Sequence, residues 1–197
     1  MQPLIAHSTF HLVVFDVALF VCFAPEWYGS LFRRVEKGAT IRDRGSHFGL
    51  FVALFAGFFA AFGFVFGAPA TAITWHQHAL FWAGIIVMLS GLAFRWYAIR
   101  SLGRFFTRTV ATRAGQYVVD RGPYRLVRHP SYTGGLLMFL GTGIAMTDWA
   151  ALLAIMAAAV IGYGYRVRIE ERALCADLGQ PYRDYMLRTK RFIPHVL

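Results

Sequence analysis

Residues 48–68 pass without one charged side chain, and Phe recurs along them. An α-helix needs roughly 20 such residues to cross a bilayer. Four more stretches share this character: residues 9–24, 79–99, 132–146 and 149–167. The first carries His11 and Asp16, and the third has Arg95 near its end. The fourth and fifth are separated only by Thr147 and Asp148, which predicts an antiparallel helical hairpin. Composition points the same way. Of 197 residues, 57% are hydrophobic and 15% charged, where soluble domains run nearer 45–50% and about 25%. One core cannot enclose that much apolar surface, so the excess must face lipid. The expected fold is an all-α integral membrane protein with about five transmembrane helices.

The net charge of +10 would suit a nucleic-acid binder, but the low polarity excludes a soluble one. The basic residues sort by position instead. Segments 25–47, 100–130 and 166–197 hold every Lys and Arg except Arg95. Residues 1–24, the 69–78 loop and the Asp148 turn hold none. Five spans with this alternation satisfy the positive-inside rule, with the N-terminus outside and the C-terminus in the cytoplasm. Residues 1–24 also lack the basic region that opens a signal peptide, so the first apolar run is expected to stay in the mature protein. Eighteen of the twenty basic residues are Arg, and Ala and Gly abound. That composition fits a prokaryotic cytoplasmic membrane.

Helices in lipid pack through small residues. Ala53, Gly57 and Ala61 form such a stripe on the second span, and Gly63 and Gly67 extend it. Cys22 and Cys175 are too few for a disulfide framework or a Cys-rich metal site. His7, His11, His47, His76, His78 and His195 show no metal-ligand spacing, so no metal is expected. For His11 and Asp16 both a polar path and a helix contact stay open. Trp75, Trp82, Trp96, Trp149 and Tyr97 fall near span ends, as interfacial anchors do.

The first 99 residues read as a three-helix scaffold, and the chemistry concentrates in residues 100–197. Turn formers and Arg crowd the stretch Gly122-Pro123-Tyr124-Arg125-Leu126-Val127-Arg128-His129-Pro130-Ser131-Tyr132-Thr133-Gly134. Pro130 disfavours helical geometry at His129 and suits the first turn of a helix. His129 therefore belongs at the entry of the fourth helix, where an anion is welcome. Further on, Arg166 and Glu170 share one helix face. The plain reading is an ion pair worth under about 1 kcal/mol. The sharper reading is a polar site at the mouth of the bundle, because charges at membrane depth are costly and often functional.

The 122–134 stretch is similar to the signature of isoprenylcysteine carboxyl methyltransferases. So are Glu170-Glu171, then Leu178-Gly179, Tyr182, Tyr185 and the closing Arg191-Phe192-Ile193-Pro194. Both blocks stand in the expected order around a helical hairpin, and the resemblance covers about residues 100–194. Phospholipid N-methyltransferases carry related C-terminal halves.

The resemblance implies S-adenosylmethionine as cofactor, bound in a cytoplasmic region of the C-terminal half. It implies cofactor contacts from a strand-like stretch, Gln116, Tyr117, Val118 and Val119, and from Tyr124, His129, Pro130, Ser131 and Tyr132. It assigns the lipophilic substrate to Arg166 and Glu170, which are also the expected catalytic residues. The acceptor it implies is the carboxylate of a prenylated cysteine or a similar lipophilic small molecule. Two positions depart from the family pattern: Gln116 stands where the eukaryotic enzymes have His, and Arg172 follows only two Glu. Tyr182 and Tyr185 read more simply as packing for the C-terminal helix than as ligand contacts. Two other readings stand beside the leading one. One is a phospholipid ethanolamine N-methyltransferase, in which His129 or Glu170 would act as base. The other is a non-catalytic haem- or quinone-binding membrane protein.

Overall fold

The computed structural model describes residues 2–32, 40–41, 45–107, 111–112 and 115–193. Arg33, Arg34, Lys37, Arg42, Arg44, Arg108, Arg113, Pro194 and His195 lie outside the described residues. The chain is built from helices: α1 (Leu4–His7), α2 (Thr9–Phe32), α3 (Ser46–Gly67), α4 (Gln77–Leu102), α5 (Pro130–Ala145), α6 (Trp149–Leu178) and α7 (Gln180–Arg188). Two strands of two residues each, β1 (Thr40–Ile41) and β2 (Ala111–Thr112), pair antiparallel.

All five expected apolar helices form, but their lengths differ. Ser46–Gly67, Gln77–Phe105 and Trp149–Leu178 are long and apolar enough to cross a membrane. The apolar part of α2, Thr9–Pro25, is shorter. Helix α5 has 16 residues, or about 24 Å at 1.5 Å per residue, against roughly 30 Å of hydrocarbon. Its limits are set locally. Pro130 occupies the first helical turn, and Thr147 takes a left-handed φ of 51° that stops propagation. Asp148 then starts α6: its Oδ1 accepts the Ala151 N–H at 2.8 Å, and its Oδ2 accepts Thr71 Oγ1 at 2.7 Å. At the other end α6 continues well past the apolar run, to Gly179 at φ 64°.

Helix α4 runs antiparallel to α5 along one stripe of each. Gly84, Met88, Gly91, Arg95 and Ala98 are buried on α4, and Gly134, Met138, Gly141 and Ala145 on α5. A Cβ on Gly91 would fall 2.7 Å from Met138 N and 2.8 Å from the Gly134 carbonyl. Only glycine permits this approach. The second main pairing joins α3 to α6, where buried Gly57 meets Ala158. The expected stripe continues to Ala61, which is fully buried, but not to the glycines beyond it: a Cβ on Gly63 or Gly67 would meet nothing within 4 Å, so neither makes a helix contact of this kind.

Large apolar side chains face outward as the composition requires: Phe20 is 73% exposed and Phe59 75%. Trp75, Trp82, Trp96, Trp149 and Tyr97 are exposed as well. His11 resolves as a helix contact, with ring centroids 4.9 Å from Phe81 and 5.0 Å from His78. Asp16 is exposed on another face of α2.

Candidate active site

A cleft opens where the polar ends of α4, α5 and α6 meet α7. Its walls carry Phe105, Gln116, Tyr117, Val118, Val119 and Tyr124 on one side, and Glu170, Leu174, Tyr182 and Tyr185 on the other. His129, Ser131 and Tyr132 come from the α5 entry. The cleft encloses about 800 Å³, open mouth included.

Beneath it runs a chain of hydrogen bonds between three helices. Arg166 of α6 is buried and donates from Nε to the Tyr132 hydroxyl at 2.9 Å. Tyr132 of α5 donates in turn to Glu170 Oε2 at 2.6 Å. Arg166 Nη1 also reaches Ser46 Oγ of α3 at 3.3 Å. Arg166 and Glu170 thus act on one phenol.

A second hub forms at Glu171, one residue on and facing elsewhere. Its Oε1 accepts Arg128 Nε at 2.9 Å and lies 3.4 Å from His129 Nε2. Its Oε2 accepts Arg191 Nη2 at 2.7 Å and Nε at 3.1 Å. Arg128 also donates to the Met186 and Thr189 carbonyls. The backbone adds two bonds: Arg128 N–H to the Lys190 carbonyl at 2.7 Å, and His129 N–H to the Arg191 carbonyl at 3.0 Å. These contacts strap the tail after α7 to the entry of α5. The Tyr185 hydroxyl completes the clamp by donating to the Tyr124 carbonyl at 2.6 Å. Burial pushes the Tyr124, Tyr182 and Tyr185 phenols up, with nearby carboxylates adding to it. All three are neutral hydroxyls at physiological pH.

Of the residues that sequence reasoning assigned, Gln116, Tyr117, Val118, Val119, Tyr124, His129, Ser131, Tyr132 and Glu170 line the cleft. Pro130 does not; it is buried in the first turn of α5 and sets the position of its neighbours. Arg166 sits behind Tyr132 rather than on the wall. His129 is the N-cap residue of α5, but its side chain caps nothing. Its ring stacks on Tyr132 at 5.6 Å and 19°. The expected strand at 116–119 is absent: those residues follow no regular structure, and the short ladder lies upstream at β2. Tyr182 and Tyr185 both pack and line the cleft.

Sequence reasoning missed Glu171, Arg128 and Arg191 as a unit, and it missed Arg95. Arg95 is buried, and its Nη1 donates to the Ser131 carbonyl at 2.7 Å, which fixes the first turn of α5. A signal existed, since Arg95 is the lone basic residue outside the three basic segments.

An apolar groove approaches the same floor from the bundle side. Leu19, Phe23, Phe51, Phe55, Phe58 and Phe139 line it, among others, and it encloses about 910 Å³, open mouth included. Ring contacts link it to the site: Phe139 to Tyr163 at 6.2 Å, and Tyr163 to Tyr132 at 5.1 Å.

Residues 79–180, just over half of the chain, match the family model described as phospholipid methyltransferase. Among curated proteins, the chain is 29% identical over 115 residues to protein-S-isoprenylcysteine O-methyltransferase B of Arabidopsis thaliana, covering 57% of this chain and 58% of that one. It is 34% identical over 101 residues to the cobalt-zinc-cadmium resistance protein CzcN of Cupriavidus metallidurans, covering 50% and 46%. The chain thus spans about half the length of these relatives. Among solved structures, the eukaryotic intramembrane Ras methyltransferase ICMT superposes with a TM-score of 0.63 at 24% identity, over 95% of this chain and 63% of that one. That likeness is one of fold.

Proposed function

The chain belongs to the phospholipid methyltransferase family, and on that premise we propose that it is a membrane-embedded methyltransferase using S-adenosylmethionine. The acceptor is the carboxylate of an isoprenylcysteine-like lipophilic molecule. The observation that carries this reading is the Arg166–Tyr132–Glu170 chain, which lies between a polar aromatic cleft and a Phe-lined groove.

The residues present suit the cofactor. Phe105, Tyr117, Tyr124 and Tyr132 offer aromatic faces, and Gln116, Ser131, His129 and Glu170 offer polar atoms among them. Bound there, S-adenosylmethionine supplies a methyl group on a positively charged sulfur. Tyr124 and Tyr132 would hold that charge by cation–π attraction, worth about 0.5–2 kcal/mol.

The work left to the protein is positioning. A carboxylate acceptor has a normal pKa of about 4 and is already ionised at pH 7, so no base is needed. Arg166, buried behind Tyr132, would orient it through the Tyr132 hydroxyl that its Nε holds. Tyr132 holds Arg166 and Glu170 in register, and orientation of this kind contributes up to about 7–11 kcal/mol to such reactions. The Phe groove takes the apolar tail. The short α5 suits this division: with Asp148 at the outer surface, His129 stops about 6 Å inside the opposite face. An acceptor in the lipid and a cofactor from the cytoplasm can then meet there.

The experiment is transfer of radiolabelled methyl from S-adenosylmethionine to farnesylcysteine analogues, phosphatidylethanolamine and total membrane lipid. Labelled product that releases methanol in alkali is the expected result, because only a carboxyl ester does so. Base-stable label on the ethanolamine lipid would favour amine methylation instead. No transfer, and no binding of S-adenosylhomocysteine by calorimetry, would overturn the reading.

A further inference from the structure

A second concavity lies on the other side of Glu171, between the end of α6 and α7. Arg168, Arg172, Cys175, Arg183, Met186 and Arg191 form its wall around the Glu171 carboxylate, and it encloses about 970 Å³, open mouth included. Its charges do not balance. Glu171 is already bound by Arg128 and Arg191. Arg168, Arg172 and Arg183 are exposed and make no ion pair among the described residues. Like charges gathered around one pocket repel unless an anion sits between them. Guanidinium forks are also the groups best matched to the oxygens of a phosphate.

We propose that this pocket binds a phosphate-bearing anion, at a site separate from the aromatic cleft. Its place in the fold favours such a ligand. Helix α6 has 30 residues, about 45 Å, which exceeds the hydrocarbon core by about 15 Å. Its last turns, with Arg168 and Arg172, therefore emerge among the headgroups, where lipid phosphates and soluble phosphates are both within reach. The pocket also shares Glu171 with the strap that holds the C-terminal tail. Binding there does not depend on methyl transfer.

The test is thermal unfolding of the full chain in neutral detergent, at constant ionic strength. Inorganic phosphate and lysophosphatidic acid are titrated separately, with lysophosphatidylcholine and sodium chloride as controls. The parent should show a saturable rise in Tm with at least one phosphate probe. In Arg172→Gln/Arg183→Gln the midpoint concentration should rise about tenfold. Arg100→Gln/Arg125→Gln, which loses the same charge from exposed positions outside the pocket, should respond like the parent. Arg168→Gln supplies a milder single variant if the double variant does not fold. Response to lysophosphatidic acid far below the phosphate range assigns the site to a lipid headgroup, and comparable responses assign it to free phosphate. The proposal fails if neither probe shifts Tm, or if both double variants weaken alike.

Discussion

At the scale of single residues, the site rests on two adjacent glutamates with different work. Glu170 receives one hydroxyl on the cleft floor, and Glu171 ties Arg128, Arg191 and His129 together. Tyr132→Phe removes the hydroxyl and leaves the ring. A hydrogen bond to a charged group is worth about 1.5–3 kcal/mol, so kcat/KM for methyl transfer should fall about 10- to 100-fold. Affinity for S-adenosylhomocysteine should change much less. Equal losses in both would mean that Tyr132 holds the cofactor rather than the acceptor machinery. Glu171→Gln tests the other hub. The Arg191 partner is 45% exposed and contributes little; the Arg128 partner is 9% exposed and buried with it. Stranding that guanidinium should cost about 2–4 kcal/mol. The measurable result is a lower Tm and faster tryptic cleavage after Arg188 and Lys190. Unchanged protection would mean that the backbone bonds alone hold the tail.

At the scale of elements, close helix approach explains why small residues matter at some positions and not at others. Gly91→Ala should destabilise the protein by about 1–3 kcal/mol, since neither Met138 N nor the Gly134 carbonyl can move without shifting α5. Gly63→Ala meets open space and should be neutral or stabilising by up to about 1 kcal/mol. Thermal unfolding of the two variants in one detergent decides this, and a matching loss at both would show that the α4–α5 contact is not tight. The same contrast explains what the sequence could tell. Hydropathy is a local property, so all five helices were legible, as was the short turn at Asp148. The 122–134 stretch was legible because turn formers and Arg crowd one segment. The α4–α5 seam was not, because its glycines recur at helical spacing among many other small residues. The Glu171 hub was not, because its partners sit 20 and 43 positions away. The strand-like stretch expected at 116–119 takes no regular structure among the described residues.

At the scale of the whole molecule, the question is which end of the bundle faces the cytoplasm. The cleft, both glutamate hubs and the Arg-lined pocket all sit at one end, and the buried turn of Thr147 and Asp148 sits at the other. The described basic residues of segments 100–130 and 166–193 share the first end, so the positive-inside rule predicts that it faces the cytoplasm. The two native cysteines report on this without engineering. Cys22 is fully buried, and Cys175 is half-buried on the wall of the Arg-lined pocket. A membrane-impermeant maleimide should therefore label inside-out vesicles at Cys175 alone and leave right-side-out vesicles unlabelled. Cys175→Ser should abolish the signal. Denaturing the membrane in detergent and urea should expose Cys22 as a second site, which proves that its silence came from burial. Label on Cys175 from the outer face would invert the bundle. It would put the cleft on the wrong side for a cytoplasmic methyl donor, and the proposed function would fall with the orientation.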